Sequence, residues 1–386
     1  MIKTTDVPSG LPRPTPYTSP LHPKSSSTMT SPYHRRPIPD YFLASPIATF
    51  LYPLHHILLR LRGPPRLPPP DAHPIRVVCI SDTHTLEWDD VPDGDLLIHA
   101  GDLCNDGSVR EIQAAVDWLQ GLPHPHKVVI CGNHDSYFDV RSRLEEDRDK
   151  SFATVSSSTA SLRSIDDLES PHRIDWGDIH YLQHSAVTIS FPPPSSTGSR
   201  ARSLTIYGAP QIPALVPFGP EHAFTYPPHY DAWSGTVPLN TDILVTHTPP
   251  QSHLDLSPVY STGCPFLLTE AWRVQPALHV FGHIHAAYGM EPVYWDEAQK
   301  AWERLCASRR RRARNGRFSS LFGFLRDLFD ISGWVDSARV VVYGVLGVVW
   351  AKVWGGENRG CGWMVNAACM SRDSKGLSNK PQVVVL

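Results

Sequence analysis

An α/β fold with its chemistry gathered at the carboxyl ends of the strands is what this sequence predicts, on three observations. Short apolar runs recur along the middle of the chain, and each passes directly into a loop rich in Asp, Asn and His. Between two of these runs, "SVREIQAAVDWLQGL" has helical periodicity, so strand and helix alternate. The chain has 386 residues, 41% of them hydrophobic, which is enough for one large core.

Taken in order, residues 1–40 are rich in Pro, Ser and Thr and bury too little apolar surface to offset their ordering entropy, so they are expected to be disordered. Residues 41–59 carry no Asp, Glu, Lys or Arg, and "RLRGPPRLPPP" follows as a basic, proline-rich linker. A signal peptide would sit at the very N-terminus, so these residues do not read as one. The core is expected over 75–293. "IRVVCI" leads to Asp82 and His84, "DLLIHA" to Asp102, "KVVI" to Asn133, His134 and Asp135, "DILVTH" to His247, and "ALHVF" to His283 and His285. Continuous β-branched runs of this kind are strands covered on both faces. Gly121 is placed to stop the helix between the second and third strands. Residues 151–164 and 192–203 read as surface loop insertions. The aromatic stretch 218–235 reads either as a substrate wall or as a loop packed on the core. Residues 294–360 form a basic and apolar insertion, and 361–386 supply C-terminal strands that complete the core.

The donor set has a chemical meaning of its own. Asp82 and His84 are two residues apart, so in an extended loop both would point to one side. Glycines precede Asp102, Asn133 and His283, where backbone must approach closely. Oxygen and imidazole donors without thiolate fit divalent Mn, Fe or Zn better than Ca, and a shared carboxylate can hold two ions about 3.5–4 Å apart. Asn133 contributes a neutral oxygen, which leaves net positive charge for an anionic phosphate. The histidines at 99, 124, 126, 180, 184 and 279 read as structural. A formal net charge of -3 argues against a nucleic-acid partner. Seven scattered cysteines without a CxxC pair read as reduced thiols of a cytoplasmic protein.

DxH, GD, GNHD, a lone His after a strand and GHxH, in that order, resemble the calcineurin-like metallophosphoesterase superfamily. The resemblance covers roughly 75–290 and resumes at "MVNAACM" (364–370) and the terminal "PQVVVL". Within the superfamily the chain is most similar to the small metallophosphoesterase-domain-containing phosphodiesterases, in a fungal-type form. The resemblance implies a four-layer α/β/β/α sandwich with two central mixed β-sheets. It assigns Asp82, His84 and His285 to one metal, Asn133, His247 and His283 to the other, and Asp102 to the bridge between them. His134 would stabilise phosphoryl oxygens or protonate the leaving group, and Asp135 would orient His134. A metal-bridging hydroxide would be the nucleophile. The implied activity is a phosphodiesterase on small, including cyclic, nucleotides, with a phosphomonoesterase or protein phosphatase as runner-up and a non-catalytic scaffold as the rival class.

Two apolar stretches, 41–59 and 309–354, stand outside this pattern. They read either as a peripheral membrane patch, with basic residues on lipid headgroups, or as a helical hairpin packed on the catalytic domain. A spanning helix at 41–59 would be kinked by Pro46 and Pro53. The run 340–351 has about 12 uncharged residues, against roughly 20 needed to span.

Overall fold

The computed structural model describes residues 45–65, 73–143, 174–192, 200–214, 223–255, 262–315, 320–354, 360–371 and 376–386. The proline-rich tail, the stretch 151–164 and residues 193–199 lie outside the described residues, so the readings made of them do too.

Two mixed sheets face each other. The first has β1 (Arg76–Ile80), β2 (Leu96–Ala100), β3 (His126–Ile130) and β4 (His180–Tyr181) in parallel, with β13 (Gln382–Val385) antiparallel on the edge beside β1. The second runs β11 (Gly289–Tyr294), β12 (Cys361–Asn366), β10 (Leu278–Phe281), β9 (Ile243–Thr246), β6 (Arg202–Ala209) and β5 (Ser185–Phe191). Its four central strands are parallel, while β11 and β5 pair antiparallel at the two edges. A short parallel pair, β7 (Ile212–Pro213) and β8 (Thr225–Tyr226), stands apart.

The apolar runs fill the space between the sheets, where Val77, Ile98 and Ile130 of the first meet Ile206, Val245 and Val280 of the second. On the outer face of the first sheet lies α2 (Val109–Gly121), which buries Ile112, Val116 and Leu119 against Val78, Leu97 and Val129. Ser108 caps α2 by accepting the Glu111 N–H at 3.3 Å. Gly121 is the last helical residue, as its place in the sequence predicts. On the outer face of the second sheet, α3 (Pro265–Val274) buries Leu267, Ala271 and Val274. These are the four layers of an α/β/β/α sandwich. The strands are buried on both faces because each sheet is covered twice, which is why their sequences are continuous rather than alternating.

The insertion and the 41–59 stretch build a helical arm. Its members are α1 (Pro46–Arg62), α4 (Glu297–Asn315), α5 (Ser320–Phe329) and α6 (Ile331–Lys352). Ile47 and Leu51 of α1, Trp302 and Leu305 of α4, and Val340 of α6 share one apolar cluster. Pro46 is the first residue of α1, where a missing N–H costs nothing, and Pro53 lies on the exposed side. One sequence expectation is corrected here. The 12-residue run is too short to span, yet it is part of α6, which has 22 residues and is long and apolar enough to cross a membrane by length and composition. Within α6, Asp336 pairs with Arg304 of α4 at 2.8 Å, and Arg339 lies 3.3 Å from the same oxygen.

Candidate metal centre

The strands β1, β2, β3, β9 and β10 all end on one side of the sandwich, and their exit loops converge there. Left-handed backbone is concentrated in these loops, at Asp82 (φ 52°), His84 (φ 48°), Asp102 (φ 55°) and His283 (φ 66°). Such conformations are strained for non-glycine residues and cluster where side-chain direction matters. The extended loop expected for Asp82 and His84 is therefore replaced by a tight turn, tied by the Asp82 N–H to Gly101 O at 2.9 Å and the His84 N–H to Asp102 O at 3.1 Å. A Cβ at Gly132 would collide with the Asp102 carboxylate, and one at Gly282 with the Asp82 carboxylate. These two glycines make room for the acids.

The side chains meet as follows. Asp82 is fully buried, with His285 Nε2 at 3.2 Å from Oδ1, and it accepts the His283 N–H on both oxygens at 3.1 Å. Asp102 faces His247 Nε2 at 3.3 Å and His84 Nε2 at 3.7 Å, and it accepts the His134 N–H at 2.9 Å. Asn133 Oδ1 lies 3.1 Å from His247 Nε2, and the His283 ring packs edge-on to His247 at 5.1 Å. The His84 ring is 4.8 Å from that of His134 and 5.4 Å from that of His285. Donor atoms of Asp82, His84 and His285 lie within 4.8 Å of one another, as do those of Asp82, Asp102 and His247, and those of His84, Asp102 and His134. Asp82, His84, Asp102, His247 and His285 thus converge by their donor atoms, with His134 among them, while Asn133 and His283 lie against His247 beside them.

This donor set fits divalent cations. His84 Nε2 is buried without a hydrogen-bond partner and is directed at the carboxylates. Two buried acids beside imidazole nitrogens need a compensating positive charge. Burial raises the Asp82 and Asp102 carboxyls, but the facing histidines outweigh it and hold both below the usual carboxylate range. Burial pulls His283 down to about 4, which suits a neutral imidazole ligand. Burial also pulls on His247, yet the Asp102 charge and hydrogen bond bring it to about 9. His247 Nδ1 donates to Ala100 O at 2.9 Å, which turns Nε2 toward the acids.

Asp135 requires a correction. It does not orient His134, whose Nδ1 instead lies 2.9 Å from Asn105 O. The Asp135 carboxylate turns inward and accepts the N–H groups of Gly132 at 2.7 Å, Leu103 at 3.2 Å and Cys104 at 3.2 Å, together with the Cys104 thiol at 3.0 Å. The physical reason is that three converging backbone donors outbid a single imidazole for a carboxylate with no solvent exposure. Burial and the nearby Asp102 charge raise Asp135 to about 6.

Two asparagines escaped the sequence reading. Asn105 holds His134 by its carbonyl and the His84 carbonyl by its side-chain amide at 3.0 Å. Asn366 donates to Leu254 O and Ile284 O, both at 3.1 Å, and so ties the loop of His283 and His285 to the loop after His247. Their signal was proximity to ligand motifs, in "GDLCND" and "MVNAACM". Of the structural histidines, His99 and His279 are buried and bond Thr83 at 3.0 Å and Thr246 at 2.9 Å. All seven cysteines are buried thiols outside any disulfide. The described part of the aromatic stretch packs on the core, where Trp233 is fully buried and donates to Tyr226 Oη at 3.0 Å. It also reaches the site, since Ala223 donates to Asn133 O at 2.9 Å.

Comparison with known proteins bears on the same residues. The sequence model of the calcineurin-like phosphoesterase family matches residues 75–287. A probable rhamnogalacturonate lyase C of Emericella nidulans is 34% identical over 236 residues, 60% of this chain and 19% of that protein. A UPF0046 protein of Caenorhabditis elegans is 36% identical over 228 residues, 58% of this chain and 68% of that protein. Metallophosphoesterase domain-containing protein 1 of Homo sapiens is 36% identical over 222 residues, 56% of this chain and 62% of that protein. The chain thus spans less than two thirds of two of these three relatives.

Proposed function

Since the chain belongs to the calcineurin-like phosphoesterase family, we propose that it is a metal-dependent phosphoester hydrolase whose preferred substrates are small phosphodiesters, cyclic nucleotides among them. The observation that carries the reading is the convergence of Asp82, Asp102, His84, His247 and His285 in one buried cluster with an unpartnered imidazole nitrogen. Asp82, His84 and His285 would hold one divalent ion and Asn133, His247 and His283 the other, with Asp102 between them. Bound there, Mn, Fe or Zn would lower the pKa of water and offset phosphate charge.

The chain's own residues supply the rest. The Asn105 carbonyl fixes the His134 ring with its Nδ1–H inward, so Nε2 is the atom that meets substrate. From that atom His134 would donate a proton to the departing alkoxide. Asp135 holds the backbone of the Asp102 and Asn133 loops in register, which keeps the carboxylate and the amide oxygen at their places. The preference for diesters rests on similarity to the small metallophosphoesterase-domain proteins, and a phosphomonoesterase is the runner-up.

A panel of p-nitrophenyl phosphate, linear diesters and cyclic nucleotides, run with added Mn and after EDTA, tests the reading. EDTA-sensitive hydrolysis that is faster on diesters is expected. Faster turnover of monoesters would transfer the assignment to the runner-up, and no turnover of any ester by metal-replete protein would leave a scaffold.

A further inference from the structure

A water-facing helix buries its large apolar residues and exposes polar ones, and α6 does the reverse. Its buried positions are Gly333, Ser337, Val340, Gly344 and Gly347. They form a seam of mostly small residues against which α1 lies close, so that a Cβ at Gly344 would strike Leu58 and one at Gly347 would strike Arg62. Outward face Val342, Val345 and Leu346 at mid-helix, with Trp334 toward one end and Trp350 and Trp354 toward the other. The face continues onto α1 through Phe50, Ile57 and Leu61, and onto α5 through Leu325, Leu328 and Phe329, the last 77% exposed. So many exposed large apolar side chains on one helical arm signal an interaction site.

We propose that this face of α1, α5 and α6 docks on the surface of an anionic lipid bilayer, with the helices lying in the interface and the catalytic core in water. Charge selects this occupant. Arg60, Arg326 and Lys352 are exposed around the face. The acids of α5, α6 and the cap between them are turned to internal partners: Asp327 accepts from Ser45, Asp330 caps the Gly333 N–H at 3.0 Å, and Asp336 pairs with Arg304. The sequence of α4 adds "RRRRAR" at 309–314. Exposed tryptophans on an apolar helical face fringed by basic residues match a helix lying at the headgroup boundary of an anionic bilayer.

The arm lies on the bilayer and does not cross it. α4 leaves the core just after β11, and α6 returns to it just before β12. If α6 crossed, α4 packed beside it would have to carry Glu297, Lys300, Glu303 and Arg304 into the hydrocarbon, where each charge is costly.

Flotation of the full-length chain with vesicles tests the proposal. Binding is expected to vesicles of 30% phosphatidylserine in phosphatidylcholine, on the order of tenfold or more above phosphatidylcholine alone, and to weaken with salt. The double variant Val345→Glu/Leu346→Glu, at exposed positions, should lower binding at least about tenfold with an unchanged thermal midpoint. Should that variant fold poorly, Trp350→Ser/Trp354→Ser is read in its place. Absence of vesicle binding, equal binding to both vesicle types, or binding that survives the substitutions overturns the proposal. A dimer that these substitutions dissociate, without vesicle binding, would assign the face to a second copy of the chain.

Discussion

At the scale of single residues, the GNHD loop divides its labour in a way that its spelling conceals. Asn133 and His134 face the cluster of candidate metal ligands, while Asp135 points into the protein and gathers three backbone N–H groups. Removing the His134 imidazole should leave metal content and fold intact, because the Asp102 contact is made by its backbone N–H. His134→Ala is expected to lose about 10² to 10⁴-fold in turnover of esters that leave as alkoxides, and less for p-nitrophenyl esters, whose leaving group departs without a proton. Elemental analysis beside the kinetics checks this, and lost metal would make His134 a ligand. Asp135→Ala should act differently. It strands three buried donors and should cost about 3 kcal/mol of stability or more. Urea unfolding measures it, and an unchanged midpoint with a selective loss of turnover would restore Asp135 as a partner of His134.

At the scale of elements, the helical arm is joined to the catalytic domain through a buried histidine. His253, in the loop after the His247 strand, lies between Glu291 of β11 at 2.7 Å and Glu303 of α4 at 3.0 Å. Glu303 also accepts from Trp272 of α3 at 2.6 Å. Burial would lower His253, but the two carboxylates raise it to about 10. Its folded pKa thus exceeds the unfolded value of roughly 6.5. The stabilisation is complete below about pH 6.5, declines above it and is gone as pH rises through about 10. Glu303→Gln should destabilise the chain by about 3 kcal/mol at pH 7 and reduce the fall in stability between pH 7 and pH 10. Denaturant midpoints at the two pH values decide, and an identical pH slope in variant and parent would remove His253 as the clamp.

At the scale of the whole molecule, the two sheets must close to a set spacing for β2 and β9 to present Asp102 and His247 to each other. Gly208 of β6 marks that spacing, since a Cβ there would lie 2.6 Å from the Leu182 Cβ and 2.7 Å from the Ile130 Cγ2, both across the sandwich. Gly208→Ala should therefore cost about 1 to 3 kcal/mol through overpacking and weaken metal retention along with stability. Thermal unfolding and metal content would report both. A fully stable variant would mean that the sheets have slack, and that the glycine serves only the strand.

The four-layer sandwich was implied by the family resemblance, while the sequence alone determined the strand series, the helix α2, the α/β class and the group of residues that gathers at the strand ends. These rest on local signals, namely apolar period, stop residues and donors placed directly after a strand, and a parallel sheet converts that order into spatial proximity. Tertiary structure decided what depends on partners far along the chain. Asp135 turned to backbone donors of the Asp102 loop, Asn366 tied two loops more than 80 residues away from it, and Asp336 of α6 paired with Arg304 of α4. A side chain's direction, protonation and charge balance are set by whichever donors, acids and cations folding places around it. Those neighbours are chosen by packing across the molecule, not by the residues beside it in sequence.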